Sequence, residues 1–583
     1  MSVLTVVEHH RESHPAPFQP AATPKAALDA ALATLAAERD HWAELPLRDR
    51  RAILKELRKD FAAVAPRWTA ACCHAEGLLE ESVAAAEEWL AGPYVILRNL
   101  RLLDEALGDI DEVGRPRLPG PIRRQPSGRV LTRIFPQSAY DRLFYPGVTA
   151  TAWMEFGVKA EELHQTQAVA YHQEPRPRGV SLVLGGGNVS SIGPMDILYK
   201  LFVDNQVVLC KMHPVNAYLG PLLEDGFRAL HDWGFLRVIY GGAEVGQYLC
   251  EHPSVDAIHI TGSDKTVEAI AYGTGPEGDE RKKERRPRLS KPITSELGNV
   301  SPVIVVPGPW SDDDLCYQGE NIAAMLANNA GFNCNAARLL ITHAEWPLGR
   351  RLLHEVRNSF AVTKPRRAYY PGAADRYAAF LAAHPEADVI GSPEEGELPW
   401  LFIPEVNPEE AGDLCFCQEA FCSAMAQTSL PADSPAAFLA KAVDFANRKV
   451  WGTLNATLLV HPASLEDRET ARAFAKALED LRYGTIAVNV WAAAGYGLVV
   501  TPWGAHPGHD LVDIGSGTGF VHNTLMFDRV QKTVVQAPFR MRPKPPWFSS
   551  HQHALSLAKR ITDFEAEPSP AKLPGIFWDA LRG

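Results

Sequence analysis

The sequence predicts an α/β fold built on parallel sheets, and three observations carry that prediction. Between residues 180 and 272 short apolar runs alternate four times with helical segments. A second strand–helix–strand series opens near Glu296. Ahead of both, from about residue 26 to 107, apolar residues recur three and four apart, as on one face of a helix. Such alternation yields a parallel sheet covered by helices on both faces. Sheets of this kind bind nucleotides outside the carboxyl ends of their strands.

Each element follows from local pattern. "AALDAALATLAAERDHWAEL" and "RRAILKELRKDFAAVA" are helical, and "GRPRLPGPIRRQPSG" is an extended linker rich in proline and glycine. In 129–178, "HQTQAVAYHQEPRPRGV" is compatible with an edge strand and turn. "VSLVL" (180–184) is a buried strand leading into "GGGN", followed by the helix "IGPMDILYKLFVDN". The strands "QVVLCK", "LRVIYG" and "VDAIHITGS" then alternate with the helices "LGPLLEDGFRALHDWG", "EVGQYLCEH" and "DKTVEAIAY". Past Glu296, "SPVIVV" is a strand and "SDDDLCYQGENIAAMLANNAG" a helix, with Ser311 as N-cap, three aspartates favoured by the helix dipole and Gly331 as the stop. Cys334 therefore falls in the loop ahead of the strand "RLLITH".

Composition narrows the function. The 583 residues are 46% hydrophobic and 22% charged with a net charge of −12, which argues against a general nucleic-acid or anionic-membrane binder. No apolar run reaches membrane-spanning length, and the N-terminus lacks a hydrophobic signal core, so the expected location is cytoplasmic. Nine scattered cysteines imply no disulfide framework. The cluster "CFCQEAFC" lacks a second zinc-spaced pair, so its thiols read as core residues and no metal is expected. "GTGPEG" (273–278) matches a dinucleotide loop but follows a helix, and reads as an exposed loop entering a charged insertion at 277–291. "DIGSGTG" (513–519) has too little chain after it for a methyltransferase fold.

Taken singly, each polar residue of interest has a bland explanation: Asn188 a turn, Lys211 a strand end, Glu296 and Glu419 surface acids. Together they form an ordered series: Asn188 after a strand, Lys211 ending the next strand 23 residues on, Gly262 and Ser263 opening a helix, Glu296 in "SELGN", Cys334 in "GFNCNAAR" and Glu419 in "QEAF". In order and context this series resembles the aldehyde dehydrogenase superfamily over roughly residues 26–540. Family-like pieces also occur in "WGTLNATLLV", "YGTIAVN" and "TPWGAHPG".

The resemblance implies a Rossmann-like cofactor domain (26–295, with an oligomerisation arm near 129–178), an α/β catalytic domain (296–505), a return with an oligomerisation strand (506–545) and a tail (546–583). The arm at 164–178 and "RVQKTVVQAPF" (529–539) are the candidates for pairing with a partner in a homodimer or homotetramer. The implied chemistry is oxidation of a small-molecule aldehyde by NADP or NAD, with Cys334 as nucleophile, Asn188 as oxyanion donor and Glu296 as base. Lys211 would bond adenosine-ribose hydroxyls, Gly262 and Ser263 the pyrophosphate, and Glu419 the nicotinamide ribose, with Phe421 beside it. Pro214 stands where NAD-selective relatives carry a glutamate, so NADP is favoured, with His213 as a further donor. Phe332 and Cys422-Ser423 depart from the family pattern. Val189, Gly193 and Asp196, with Trp491 and Tyr496 opposite, suggest an aldehyde too bulky or too polar for a narrow aromatic tunnel. The alternatives are a coenzyme-A-acylating enzyme, disfavoured by Glu296, and a non-catalytic oligomer on the same fold.

Overall fold

The computed structural model describes residues 19–583 apart from residue 411. The stretch read for a signal lies almost wholly outside the described residues. Helices Lys25–Glu44 and Leu47–Glu76 turn Leu28, Leu32, Leu35, Ile53, Leu57, Phe61 and Trp68 inward. These side chains share one core with the buried strands Val180–Leu184 and Val207–Lys211.

That core supports a six-stranded sheet. Its parallel part runs Leu236–Ile239, Val207–Lys211, Val180–Leu184, Ala257–Gly262 and Ile293–Leu297 in space. The chain winds outward from Val180–Leu184, then returns to its other side at Ala257, so the winding reverses beside that strand. Ligand crevices open at such a reversal, at the carboxyl ends of the strands. Gly517–Thr518 closes the far edge in antiparallel pairing. Glu296 lies within the last parallel strand of this sheet, Ile293–Leu297, pairing with Thr261.

The second sheet has eleven strands. Its parallel centre comprises Val530–Gln536, Thr485–Val488, Asn455–Leu459, Ser301–Val305, Ala337–His343, Ala424–Leu430 and Trp400–Ile403. These strands read as continuous apolar runs because helices cover both faces. Thr149–Met154, Val130–Phe135 and Ile122–Arg124 extend it antiparallel on one side.

Several expectations change. The 164–178 segment forms the short 3₁₀ turns Leu163–Thr166 and Val169–Tyr171, not a strand. Buried strand Val530–Gln536 is sandwiched between two strands of its own chain, so its edges are not free for a partner. Helix Asp312–Ala327 has the expected Ser311 capping box but stops four residues before Gly331, at Asn328. The first half of the insertion is helical, within Gly275–Lys283, and the rest is irregular with exposed basic residues. The tail folds as two helices, Ala554–Ala566 and Leu573–Leu581.

Candidate active site

After helix Asp312–Ala327 the chain takes three consecutive left-handed residues, Asn329 (φ 51°), Ala330 (φ 51°) and Gly331 (φ 82°). Only glycine takes this conformation readily, so the turn must be held from outside. Asn329 N–H donates to the Glu87 carboxylate at 2.8 Å, its amide to the Asn188 carbonyl at 2.7 Å, and Tyr369 OH donates to its Oδ1 at 2.8 Å. At Gly331 a Cβ would lie 2.5 Å from the Cys422 carbonyl oxygen. Arg338, buried behind, donates to both the Gly331 and Cys422 carbonyls. The departure at Cys422 thus enters through its backbone. Phe332 packs on Tyr369, Tyr370 and Phe421.

The loop brings Cys334 to Glu296. Their side chains hydrogen-bond, and Trp503 Nε1 donates to Glu296 Oε1 at 2.9 Å. Burial pushes the Glu296 carboxyl up to about 7, against the pull of the Trp503 and Cys334 hydrogen bonds. Burial, and then the charges of Glu296 and Glu419, hold the Cys334 thiol well above its usual range. At rest the pair is a protonated thiol facing a carboxyl able to titrate near neutrality. The thiolate is the nucleophilic form, and Glu296 is positioned to take its proton. Asn188 reaches the same loop: its amide donates to the Phe332 carbonyl at 2.7 Å, two residues before the cysteine.

Two cavities meet here, sharing Thr261, Glu296 and Cys334. The larger, about 980 Å³, covers the carboxyl ends of the six-stranded sheet. Asn188, Lys211, His213, Gly262, Ser263, Glu419 and Phe421 all line it. Its polar groups suit a dinucleotide. Glu419 Oε1 is buried without a protein hydrogen-bond partner, and at Gly298 a Cβ would collide with that carboxylate. Burial, partly opposed by Arg338, pushes the Glu419 carboxyl up to about 8. Ser263 caps helix Asp264–Tyr272, accepting from Thr266 N–H at 3.2 Å. Its hydroxyl oxygen is therefore partly committed to the helix. Burial lowers Lys211, and burial with the Lys211 charge takes His213 down to about 4. His213 is consequently neutral, and Nδ1 accepts from Val215 N–H at 3.2 Å, leaving it a donor through Nε2 but not a cation.

The smaller cavity, about 230 Å³, runs from Cys334 past Val189, Ile192, Trp491, Tyr496 and Trp503 to the tail helices. Val189 and Asp196 line it as expected, whereas nothing lies within 4 Å of a Cβ built at Gly193. Its walls are mainly apolar and partly aromatic, which suits the bulky rather than the polar side of the expectation of an aldehyde too bulky or too polar for a narrow aromatic tunnel. Sequence reasoning missed Trp503 as the partner of Glu296, although "TPWGAHPG" had drawn notice; it missed Asn329, Tyr369 and Arg338 because each acts through a distant backbone. Cys415 and Cys422 are buried as expected, but Cys417 is exposed. The ligand atoms of Cys415, His384 and Asp413 lie within 4.8 Å of one another, so Cys415 belongs to a polar cluster.

A doubly wound sheet facing a cysteine-bearing sheet, with two cavities meeting at the thiol, defines the architecture. The aldehyde dehydrogenase family model matches residues 152–364. Human 4-trimethylaminobutyraldehyde dehydrogenase is 33% identical over 130 residues, 22% of each chain. N-succinylglutamate 5-semialdehyde dehydrogenase of Novosphingobium aromaticivorans is 29% identical over 170 residues, 29% of this chain and 33% of that one. The matched stretches thus span a third or less of these relatives. Structural likeness extends further. NADP-dependent glyceraldehyde-3-phosphate dehydrogenase from Bacillus halodurans, complexed with NADP, superposes with TM-score 0.58 at 17% identity over 88% of this chain and 92% of that one. Indole-3-acetaldehyde dehydrogenase with NAD+ gives 0.56 at 18% identity over 89% and 90%. The chain has the aldehyde dehydrogenase fold, and its residues 152–364 match the aldehyde dehydrogenase family model. Among the described residues no helix is long and apolar enough to cross a membrane.

Proposed function

We propose that this protein oxidises an aldehyde to a carboxylic acid with NADP+ or NAD+. The observation that carries this reading is the meeting of a dinucleotide-sized cavity and an apolar cavity at one thiol–carboxyl pair. Glu296 takes the Cys334 proton as sulfur adds to the aldehyde carbon, forming a thiohemiacetal oxyanion. The Cys334 N–H and the Asn188 amide are the donors for that oxygen, the amide exchanging its Phe332 carbonyl for it. The nicotinamide, when bound, supplies the acceptor for the hydride that leaves carbon, and collapse of the oxyanion gives a thioester. Glu296 releases the thiol proton to solvent and then removes one from water; hydroxide adds to the thioester carbon, the carbon–sulfur bond breaks with Cys334 leaving as thiolate, the proton on Glu296 returns to it, and the acid departs.

Lys211 and Glu419 would hold the two riboses, the pyrophosphate would lie at the start of helix Asp264–Tyr272, and the missing carboxylate at Pro214 favours NADP. A homodimer or homotetramer in the cytoplasm remains part of this reading; because Val530–Gln536 is used internally, association would have to use another surface. The test is cofactor reduction with an aldehyde panel, with product identified in the presence and absence of coenzyme A. Acid formed equally in both supports the reading; acyl-coenzyme A, or no reduction with any aldehyde, overturns it.

A further inference from the structure

The tail and the apolar cavity, which the sequence left unconnected, belong together. Helices Ala554–Ala566 and Leu573–Leu581 contribute Leu557, Ile561, Ile576, Phe577 and Ala580 to the wall of the cavity that also reaches Cys334. The first helix is anchored by Glu565, which receives Arg98 Nη1 at 2.8 Å and Arg101 Nε at 2.7 Å, with Arg98 and Glu565 almost wholly buried. Arg98 also donates to Asp141 at 2.8 Å. Leu557, Phe564 and Ile576 then form a small core with Tyr140 and Phe144. The tail is therefore a fixed end wall.

The carboxylates lining this space are already satisfied. Glu87 accepts from Asn329 N–H at 2.8 Å and faces Arg366 at 3.3 Å. Asp196 accepts from Thr261 Oγ1 at 3.0 Å and lies 3.5 Å from His259. Glu565 is held by the two arginines. Lys544, on the 541–547 segment of the wall, donates to Ser550 at 2.7 Å, and Arg542 is exposed to solvent. Among the described residues, the cations of this wall are Lys544, tied to Ser550, and Arg542, which is exposed to solvent, so the buried apolar walls offer no enclosed charge to a trimethylammonium, carboxylate or phosphate, the kinds of group carried by the substrates named in several of the matching proteins.

We propose that the substrate is an uncharged, apolar aldehyde of medium length, about six to ten carbons, its chain lying along this cavity and ending against Ile576 and Phe577. This rests on the aldehyde dehydrogenase reading above. At about 10–15 Å³ of this volume per water-sized group, 230 Å³ accommodates a chain of that length. Each methylene buried strengthens transition-state binding by about fourfold until the end wall is met.

The test compares kcat/KM for propanal, hexanal, octanal, decanal and succinic semialdehyde, in the native protein and in Phe577→Ala and Ala580→Leu. The expected profile rises through octanal, rejects the charged aldehyde, and moves to longer chains in Phe577→Ala and shorter ones in Ala580→Leu. Thermal denaturation checks that both variants stay folded, and calorimetric binding of octan-1-ol reads the cavity without turnover. Propanal oxidised as well as octanal, or succinic semialdehyde preferred, overturns the proposal while leaving the dehydrogenase reading intact. Octan-1-ol binding that Phe577→Ala and Ala580→Leu alter, with no aldehyde oxidised, supports the apolar site and sinks the dehydrogenase reading; failure of octan-1-ol to bind overturns the site itself.

Discussion

Trp503 Nε1 donates to Glu296 Oε1 at 2.9 Å across a sequence separation of 207 residues, within a buried contact. The indole favours the ionised carboxylate that burial disfavours, and the balance leaves Glu296 at about 7. Trp503→Phe keeps the packing and removes the donor. The acid limb of the pH–rate profile should then move upward by roughly one to two pH units. An unchanged limb would show that another group sets it.

Glu296 also links pH to stability. Its folded pKa lies above its ordinary value, so between about 4.5 and 7 the native state keeps a proton that the unfolded chain has lost. Stability contributed by this group therefore falls as pH rises through that window, by roughly 3 kcal/mol in all. Glu296→Gln should flatten that part of the curve in denaturant titrations from pH 4 to 8. In single-turnover kinetics the same variant should release one burst of reduced cofactor and then stall at the thioester, provided the thiol proton finds water instead.

Cys334→Ala should abolish aldehyde oxidation and leave cofactor affinity within about twofold, since Cys334 is one of many residues lining the dinucleotide cavity. Fluorescence titration with NADP and NAD gives the affinity. Loss of folding in this variant would return Cys334 to a purely structural role.

Pro214→Glu restores a carboxylate where a 2′-phosphate would lie and should shift the NADP-to-NAD ratio of kcat/KM toward NAD by about tenfold or more. Pro214 opens the turn Pro214–Leu219, a position that accepts glutamate. A ratio that does not move would place the adenosine ribose elsewhere in the cavity.

Glu565→Gln leaves Arg98 and Arg101 without their shared partner in a buried site. The expected loss is on the order of 3 kcal/mol, with a lower thermal midpoint. Proteolysis should release the segment beyond Pro546 first. Digestion that begins elsewhere would show that the tail holds without the pair.

The doubly wound half of the fold is written in local pattern. Strands such as Val180–Leu184 and Val207–Lys211 are buried on both faces, so their side chains leave little choice of conformation. Asn188, Cys334 and Glu296 were legible as an ordered series whose members all have a chemical use. What escaped notice depends on distance along the chain. Glu565 gives no sign of its partner Arg98, 467 residues away, and without it the tail helix has no place. The 164–178 segment carries strand-forming residues, yet its pairing reduces to one isolated bridge, Gln167 with Phe527. The strand Val530–Gln536 was recognised, but the neighbour that claims it is a tertiary matter.

The Arg98–Glu565 tie sets an order on synthesis. Arg98 and the walls it supports leave the ribosome long before Glu565 does, so the nascent chain carries an incompletely paired cation and an open trough beside Cys334. Aldehydes and water alike can enter that trough until the roof helices arrive and the ion pair closes them down. A chain interrupted within its final forty or so residues keeps its thiol, its carboxyl and its nucleotide sheet, but not the enclosure. Such a product would expose the apolar trough to proteases, so the ion pair far from the thiol governs how well the thiol's surroundings are protected.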